Sequence, residues 1–277
     1  INMDEVDILL KNRYSEVELI KLATKLDKEF RVNYFWDGWK FLEDEVFSLE
    51  EIDYLRKKYK YSEVYNYVIM KYGRNETVIK YNLIKEFISN PENVGLLEFN
   101  VGNSRLDIGK INGSSYAYEI KTELDNTLRL EKQIQDYEKI FEFIYVVCHL
   151  KHLKEVKNIV PKKVGIITFE IISEKVVFKD IRKAKRNRSI KKEFLLQSLN
   201  SKEYAYIIKE YLKEQKIPLY KEERMKLVDK RIKKDDLVEV FKRVIKLRQS
   251  QRWNYIKDEF NVILPIEIQD IYSKEQF

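Results

Sequence analysis

Apolar and polar positions follow different patterns in different parts of the chain. In the first and last thirds, apolar residues recur at the three- and four-residue spacing of amphipathic helices. Between Asn90 and Phe178 they instead alternate with polar residues or form short clusters, which is typical of strands. These patterns predict a helical region over residues 1–74, an α/β core over 75–180 and a helical region over 181–277.

The middle region predicts a mixed sheet. Asn112-Gly113 is a strong turn signal between two alternating segments, so an antiparallel meander is expected. The unbroken apolar run 143–148, which follows a helical pattern over 128–141, predicts a strand covered on both faces. The predicted strands are 96–99, 106–108, 116–120, 143–148 and a final strand or hairpin within 164–178. The fold class is therefore α/β, a mixed central sheet flanked by helices, with helical N- and C-terminal extensions.

Two acidic residues flank the predicted hairpin turn. With a three-residue turn over 112–114, Asp107 lies directly opposite Glu119, their Cβ atoms about 5 Å apart. A two-residue turn would instead pair Asp107 with Tyr118 and divide the two acids between opposite faces. Lys121 shares the face of Glu119, because side chains alternate along a strand. The opposite face is predicted to be core: Leu106, Ile108, Tyr118 and Ile120.

This grouping has a chemical use. Two neighbouring carboxylates repel each other, and a divalent cation bound between them relieves the repulsion. Oxygen ligands with room for water favour Mg²⁺ or Mn²⁺. Such a metal acidifies a bound water and neutralises charge on a phosphodiester, while a neighbouring lysine can orient the water. From the residues alone, an exposed sheet face with an ordinary cross-strand salt bridge remains an open alternative.

Asp107, followed after eleven residues by Glu119-Ile-Lys121, lies between two predicted helices and resembles the motif of the PD-(D/E)XK nuclease superfamily. Leu106 stands where a proline is usual. The following helix contains Gln133 and Tyr137, which match the Gln-X-X-X-Tyr element of the RecB-like branch. The similarity covers about residues 75–250 and is strongest to an uncharacterised bacterial nuclease-like family with a helical C-terminal extension.

The resemblance implies a metal-dependent nuclease that hydrolyses phosphodiester bonds in phage defence or DNA processing. It implies catalytic roles for Asp107, Glu119, Lys121, Gln133 and Tyr137, with Mg²⁺ or Mn²⁺ held by Glu76, Asp107 and Glu119. Glu98, on the first strand, is the alternative to Glu76 as the third acidic residue.

Positive charge is concentrated in two stretches. The formal net charge is +7, yet residues 181–192 hold seven basic groups and residues 242–257 hold six, with no acidic group in either. This distribution predicts a polyanionic partner, most simply nucleic acid, although solvated lysine-rich helices would give the same composition. For the nuclease, DNA is the expected nucleic acid in preference to RNA. The expected nucleic-acid contacts are Arg129, Arg182, Lys183, Lys185, Arg186, Arg188, Lys191 and Lys192.

Composition also excludes several classes of protein. No apolar run approaches the roughly 18 residues of a spanning helix, so no membrane association is expected. The single cysteine, Cys148, cannot form an internal disulfide, and with no leader-like segment it predicts a cytoplasmic protein. One cysteine and two histidines nearly exclude a zinc site; His149, His152 and Cys148 are predicted to be structural.

Two other functions remain open. The first is a catalytically inactive nucleic-acid-binding or assembly protein on the same fold. The second is an interaction role for the N-terminal region, through a homodimer or a helical partner protein. The aromatic residues of that region are expected to pack in its core: Tyr34, Phe35, Trp36, Trp39, Phe41 and Phe47.

Overall fold

A computed structural model describes residues 3–30, 37–268 and 271. The α-helices of this part of the chain are α1 (Asp4–Arg13), α2 (Glu16–Glu29), α3 (Gly38–Glu45), α4 (Leu49–Arg56), α5 (Tyr61–Tyr72), α6 (Glu76–Ile88), α7 (Leu130–Tyr137), α8 (Leu153–Ile159), α9 (Lys192–Gln197), α10 (Ser201–Glu210), α11 (Lys221–Arg231) and α12 (Lys234–Asp258). The strands are β1 (Val94–Val101), β2 (Ser104–Asn112), β3 (Ser114–Lys121), β4 (Phe143–His149), β5 (Gly165–Ile172) and β6 (Lys175–Arg182). No helix within these ranges is both long and apolar enough to cross a bilayer.

Helices α1–α5 pack around a separate apolar cluster, which includes Leu26, Tyr65 and Ile69 and is joined by Ile266. Ser48 begins α4 with a capping box, in which its hydroxyl accepts from the backbone of Glu51 while the Glu51 carboxylate accepts from the backbone of Ser48. Among the aromatic residues predicted to pack here, Phe47 is buried and Trp39 and Phe41 lie against the cluster. Tyr34, Phe35 and Trp36 lie outside the described residues.

The six strands form one sheet in the order β1-β2-β3-β4-β5-β6. Strands β1–β3 form the expected antiparallel meander, β3, β4 and β5 are parallel, and β6 returns antiparallel to β5. Asn112 pairs with Ser114 around Gly113, whose φ of 64° is readily adopted by glycine. The predicted α/β class and the three-residue hairpin turn are confirmed.

Helices cover both faces of the sheet. On one face, α6 and the end of α12 pack on residues such as Leu97, Ile108 and Tyr118. The other face packs against α7 and the C-terminal helices and contains Ala117 and Val146. The prediction that Leu106 shares a face with Ile108 is wrong: Leu106 packs on the face of Ala117 and α7, whereas Ile108 packs on the face of Leu97 and α6. The alternation breaks at Asp107, between them, where β2 separates from β3.

Helical structure was predicted to begin at residue 181, and this boundary is wrong. Strand β6 continues to Arg182, and residues 183–191 form an extended segment without regular secondary structure. The buried Asn187 explains why: its side-chain amide donates to the carbonyls of Glu138 and Phe141, and its backbone N–H donates to the carbonyl of Glu142. These bonds to another part of the chain replace those of a helix.

A buried carboxylate joins this segment to the sheet and to α12. Glu142, which directly precedes β4, accepts from the backbone of Ser115 at 2.9 Å. It also pairs with Arg186 of the extended segment and with Lys242 of α12, the latter at 3.1 Å. Lys242 donates as well to the carbonyl of Gly113 at 2.7 Å. The C-terminal region is therefore fastened to the hairpin turn through buried charges.

Candidate active site

The site forms where β2 separates from β3. The β2–β3 ladder runs from the turn to the pair Ile108–Tyr118, and beyond it β3 continues alongside β4. The carboxylate of Asp107 accepts the backbone N–H of Ile120 at 2.7 Å. The backbone of β2 no longer pairs with β3 at this point, and the Asp107 side chain accepts the N–H of Ile120 instead. This contact fixes Asp107 next to the end of β3.

The strand register aligns three acidic residues. Glu98 and Asp107 lie in the gap between the ladder pairs Leu97–Ile108 and Phe99–Leu106, and Asp107 and Glu119 come just beyond the last β2–β3 pair, Ile108–Tyr118. We call Glu98, Asp107 and Glu119 the carboxylate row. Glu98 has a φ of 53°, a left-handed backbone conformation that is uncommon outside glycine and is concentrated at functional sites.

Glu119 is the most buried member of the row, with 1% of its surface exposed. One carboxylate oxygen, Oε1, accepts from Lys121 Nζ at 2.6 Å, and the other, Oε2, accepts from the Tyr137 hydroxyl at 2.6 Å. Burial raises the pKa of Glu119, while Lys121 and Tyr137 oppose the rise. The predicted residues Glu119, Lys121 and Tyr137 are therefore brought together in one buried cluster.

The surroundings of Asp107 disfavour the charged form of its carboxyl group. Burial raises its pKa well above the usual value, and the charges of Glu119 and Glu76 raise it further. Lys80 and the N–H of Ile120 act in the opposite direction. A carboxylate whose environment resists ionisation in this way is typical of catalytic and cation-binding sites.

Both candidates for the third acidic residue lie near the row, and a lysine joins them. Glu76 opens α6 after the capping residue Asn75, and Lys80 follows one turn later. Lys80, 5% exposed, pairs with both Glu76 and Glu98, and Arg105 adds a contact to Glu98 at 2.7 Å. Although burial alone would lower the pKa of Lys80, the charges of Glu76 and Glu98 raise it.

Lys80 is the site residue that the sequence prediction missed. Its signal was the Glu76–Lys80 pair at i,i+4 on the helix before the sheet. Such pairs are usually on a solvated helix face, so the spacing alone does not indicate a buried one.

Gln133 lies one turn before Tyr137 on α7. Its side-chain oxygen is buried without a hydrogen-bond partner in the part of the chain that the structure describes. A buried acceptor left unpaired carries an energetic cost, so a ligand donor or a bound cation would stabilise it. This places a second polar group of the predicted Gln-X-X-X-Tyr element one helical turn from the Glu119 cluster.

The donor chemistry fits Mg²⁺ or Mn²⁺, because the site offers carboxylate and amide oxygens. Across residues 3–30, 37–268 and 271, no group of three or more His, Cys, Asp or Glu side chains is arranged to hold a metal ion. The ammonium groups of Lys80 and Lys121 instead compensate the charges of Glu98 and Glu119. The predicted ligands, Asp107 and Glu119 with Glu98 or Glu76, are thus not gathered into a metal site within these ranges, and the bound cation stays a prediction.

The first basic stretch lies away from this site. It runs from the end of β6 past Glu142, which lies at the beginning of β4 and contacts Ser115 at the beginning of β3. Glu119 is near the other end of β3, roughly 13 Å from Ser115 along the strand. Arg182 donates to the carbonyls of Val164 and Pro161, Arg186 pairs with Glu142, and Lys192 pairs with Asp229. The remaining predicted contacts are exposed: Arg129, Lys183, Lys185, Arg188 and Lys191.

Cys148 and the histidines have surroundings that fit structural roles. Cys148 is buried, and burial raises the pKa of its thiol to about 12. His152 is buried with Nε2 3.0 Å from the carbonyl oxygen of Thr122. The ring of His149 packs edge-on against Phe169.

Fold and site together define an α/β protein with a buried cluster of carboxylates and lysines at the end of its third strand. The family model described as "Bacteriophage P4 protein cII" matches residues 70–272, and the chain belongs to this family. The matched residues include α6, the whole sheet and the C-terminal helices, and therefore every residue of the site.

Protein cII of Enterobacteria phage P4 is 35% identical over 98 residues, which are 34% of this chain and 37% of that protein. The chain thus matches little more than a third of the length of this relative. Among solved structures, a protein of unknown function from Silicibacter pomeroyi is 13% identical to this chain, with a TM-score of 0.30. The match covers 62% of this chain and 90% of the Silicibacter pomeroyi protein. None of these descriptions names a nuclease, and the nuclease resemblance stays a prediction.

Proposed function

We propose that this protein is a divalent-metal-dependent nuclease that hydrolyses phosphodiester bonds of nucleic acid, DNA in preference to RNA. The observation that carries the proposal is the carboxylate row, with Lys121 and Tyr137 both bonded to Glu119. Buried acidic groups gathered around two lysines are costly to a fold. A function that needs concentrated charge accounts for their presence.

Mg²⁺ or Mn²⁺, when bound, would acidify a water and neutralise charge on the phosphodiester. Tyr137 holds the Glu119 carboxylate in place through its 2.6 Å hydrogen bond. Lys121, which bonds Glu119, would orient a water and stabilise negative charge that develops on the phosphate. Burial of Glu119 strengthens these electrostatic effects, because water no longer screens them.

The test is cleavage of single-stranded DNA, duplex DNA and RNA by the full chain with added Mg²⁺ or Mn²⁺. Asp107→Asn and Lys121→Met should each reduce cleavage by about a hundredfold or more. Asp136→Asn is a matched control, because Asp136 is a buried carboxylate on α7 that bonds Ser104 and Lys139 outside the row. Cleavage by Asp107→Asn at the level of the wild type would refute the assignment of the active site.

A second candidate is a nucleic-acid-binding protein that does not cleave. It is favoured by the internal compensation of the site, where Lys80 and Lys121 already neutralise Glu98 and Glu119. Under this candidate, binding falls steeply with salt concentration and no nucleic acid is cut with any metal. We propose the cytoplasm as the location and phage defence or DNA processing as the context, and a homodimer or helical partner at the N-terminal helices stays a prediction.

A further inference from the structure

A cleft of about 650 Å³ opens beside the carboxylate row. Its walls come from β1, from the end of α9 with the residues that follow it, and from α12. Glu98 is part of both the row and the cleft wall. The volume lies within the range of pockets that bind small molecules and cofactors, and the shared residue places this space directly next to the candidate active site.

The lining is polar, with an aromatic side chain at one wall. Residues with side-chain amides line it from three parts of the chain, together with Phe194: Asn100 of β1, Gln197 of α9 and Gln249 of α12. Gln249 is only 6% exposed, and its Oε1 has no hydrogen-bond partner within the described ranges. A ligand that supplied the missing donor would remove the cost of this unpaired acceptor.

Charge favours an anionic ligand. The second basic stretch, 242–257, lies within α12, whose residues Arg248 and Arg252 line the cleft. Arg248 is fixed by a two-point ion pair with Glu203 and stacks over Phe99, its guanidinium carbon 5.8 Å from the ring centre. It therefore forms a rigid part of the wall. Arg252, one turn further along the helix, is half-buried at the same cleft.

We propose that this cleft binds a single unpaired nucleotide of a nucleic-acid strand, next to the phosphate held at the carboxylate row. Amide side chains recognise base edges through paired donors and acceptors, an aromatic ring stacks on the base, and a guanidinium binds the phosphate. In a duplex the bases are stacked and paired, so only a single-stranded or unpaired nucleotide can enter such a cleft. The ligand class rests on the proposed function, whereas the cleft and its chemistry do not.

The experiment measures binding without cleavage. Fluorescence anisotropy of labelled single-stranded DNA and RNA of about ten nucleotides, a length that single-strand grooves cover, is recorded in EDTA with the matching duplex as a third probe. The wild type should bind a single strand more tightly than the duplex. Arg252→Gln should weaken single-strand binding about fivefold and reduce the salt-dependence slope by about 1.

Arg243→Gln is the matched control. It removes the same charge from the same helix, but Arg243 is exposed and lies nine residues earlier, half a rotation away from Arg252 around the helix axis. Its effect on binding should be less than about twofold, as expected of a charge outside the contact surface. Equal effects of the two substitutions would show that α12 acts only by general attraction, and would overturn the proposal.

Gln249→Leu separates binding from folding. Removal of a buried, unpaired acceptor should leave the melting temperature unchanged or raise it, whereas single-strand affinity should fall about fivefold or more. Unchanged affinity, or a loss that only follows unfolding, would overturn the proposal. If cleavage persists while the cleft variants bind normally, the cleft assignment fails and the nuclease stands. If binding depends on the cleft but nothing is cut, the nuclease fails and the cleft stands.

Discussion

Lys80 offers the sharpest test of the site's electrostatics. It is buried between α6 and the sheet and pairs with Glu76 and Glu98, while the charge of Asp107 lies close enough to raise its pKa further. Lys80→Met keeps the apolar stem but leaves these carboxylates without their cation. Removal of one partner from a buried ion pair costs about 3–5 kcal/mol. At about 2 °C per kcal/mol for a chain of this size, the melting temperature should fall by roughly 6–10 °C.

The assay is thermal unfolding followed by circular dichroism. Lys85→Met is the control, because Lys85 is exposed on the same helix and its loss should change stability by less than about 0.5 kcal/mol. The double variant Lys80→Met/Glu98→Gln should regain part of the loss, since one uncompensated charge is gone.

Added Mg²⁺ should stabilise Lys80→Met more than the wild type, approaching about 2.7 kcal/mol at a hundredfold excess over the dissociation constant. If Lys80→Met unfolds at the same temperature as Lys85→Met, then Lys80 does not compensate the row, and the electrostatic account of the site is wrong.

Three further predictions concern neighbouring groups. Burial and nearby carboxylates raise the pKa of Asp107 in the folded protein above 3.8, its value in the unfolded chain. Between these two pKa values the folded state holds the proton and the unfolded state has released it, so the free energy of unfolding falls as pH rises through this range. Asp107→Asn should therefore be more stable than the wild type at neutral pH, with an advantage that disappears near pH 4 in urea titrations at several pH values. Tyr137→Phe removes a hydrogen bond to the charged Glu119 and should cost about 1.5–3 kcal/mol in urea unfolding, together with a loss of cleavage. Gly95→Ala should cost about 1–3 kcal/mol in the same assay, because its Cβ would come within 2.3 Å of the Trp253 ring.

Local signals in the sequence were sufficient for the sheet. Asn112-Gly113 locates the hairpin turn, and the three-residue form of that turn places Asp107 and Glu119 just beyond the last β2–β3 pair. The break at Asp107 could not be predicted, because residue periodicity does not show where one strand leaves its neighbour. Lys80 was missed for a related reason: its burial depends on which face of α6 meets the sheet, and this is decided by tertiary packing.

The basic segment 181–192 shows a second limit. Seven positive charges within twelve residues favour an exposed polyanion-binding surface. In the structure the same segment contains Asn187, whose buried amide satisfies carbonyls at the edge of the core, and Arg186, which neutralises Glu142. Composition records the charges but not the partners that are distant in sequence, so it could not separate the arginines that form structural ion pairs or hydrogen bonds from the others.

Glu142 has a consequence for how the chain can be divided. Its partners, Ser115, Arg186 and Lys242, lie in three stretches that are far apart in sequence. A fragment that ends before α12 would keep the buried carboxylate and its partner Arg186 but lose the ammonium group of Lys242. Through Lys242, which also bonds the turn before the strand that carries Glu119, and through the shared apolar core, the C-terminal helices form one unit with the sheet.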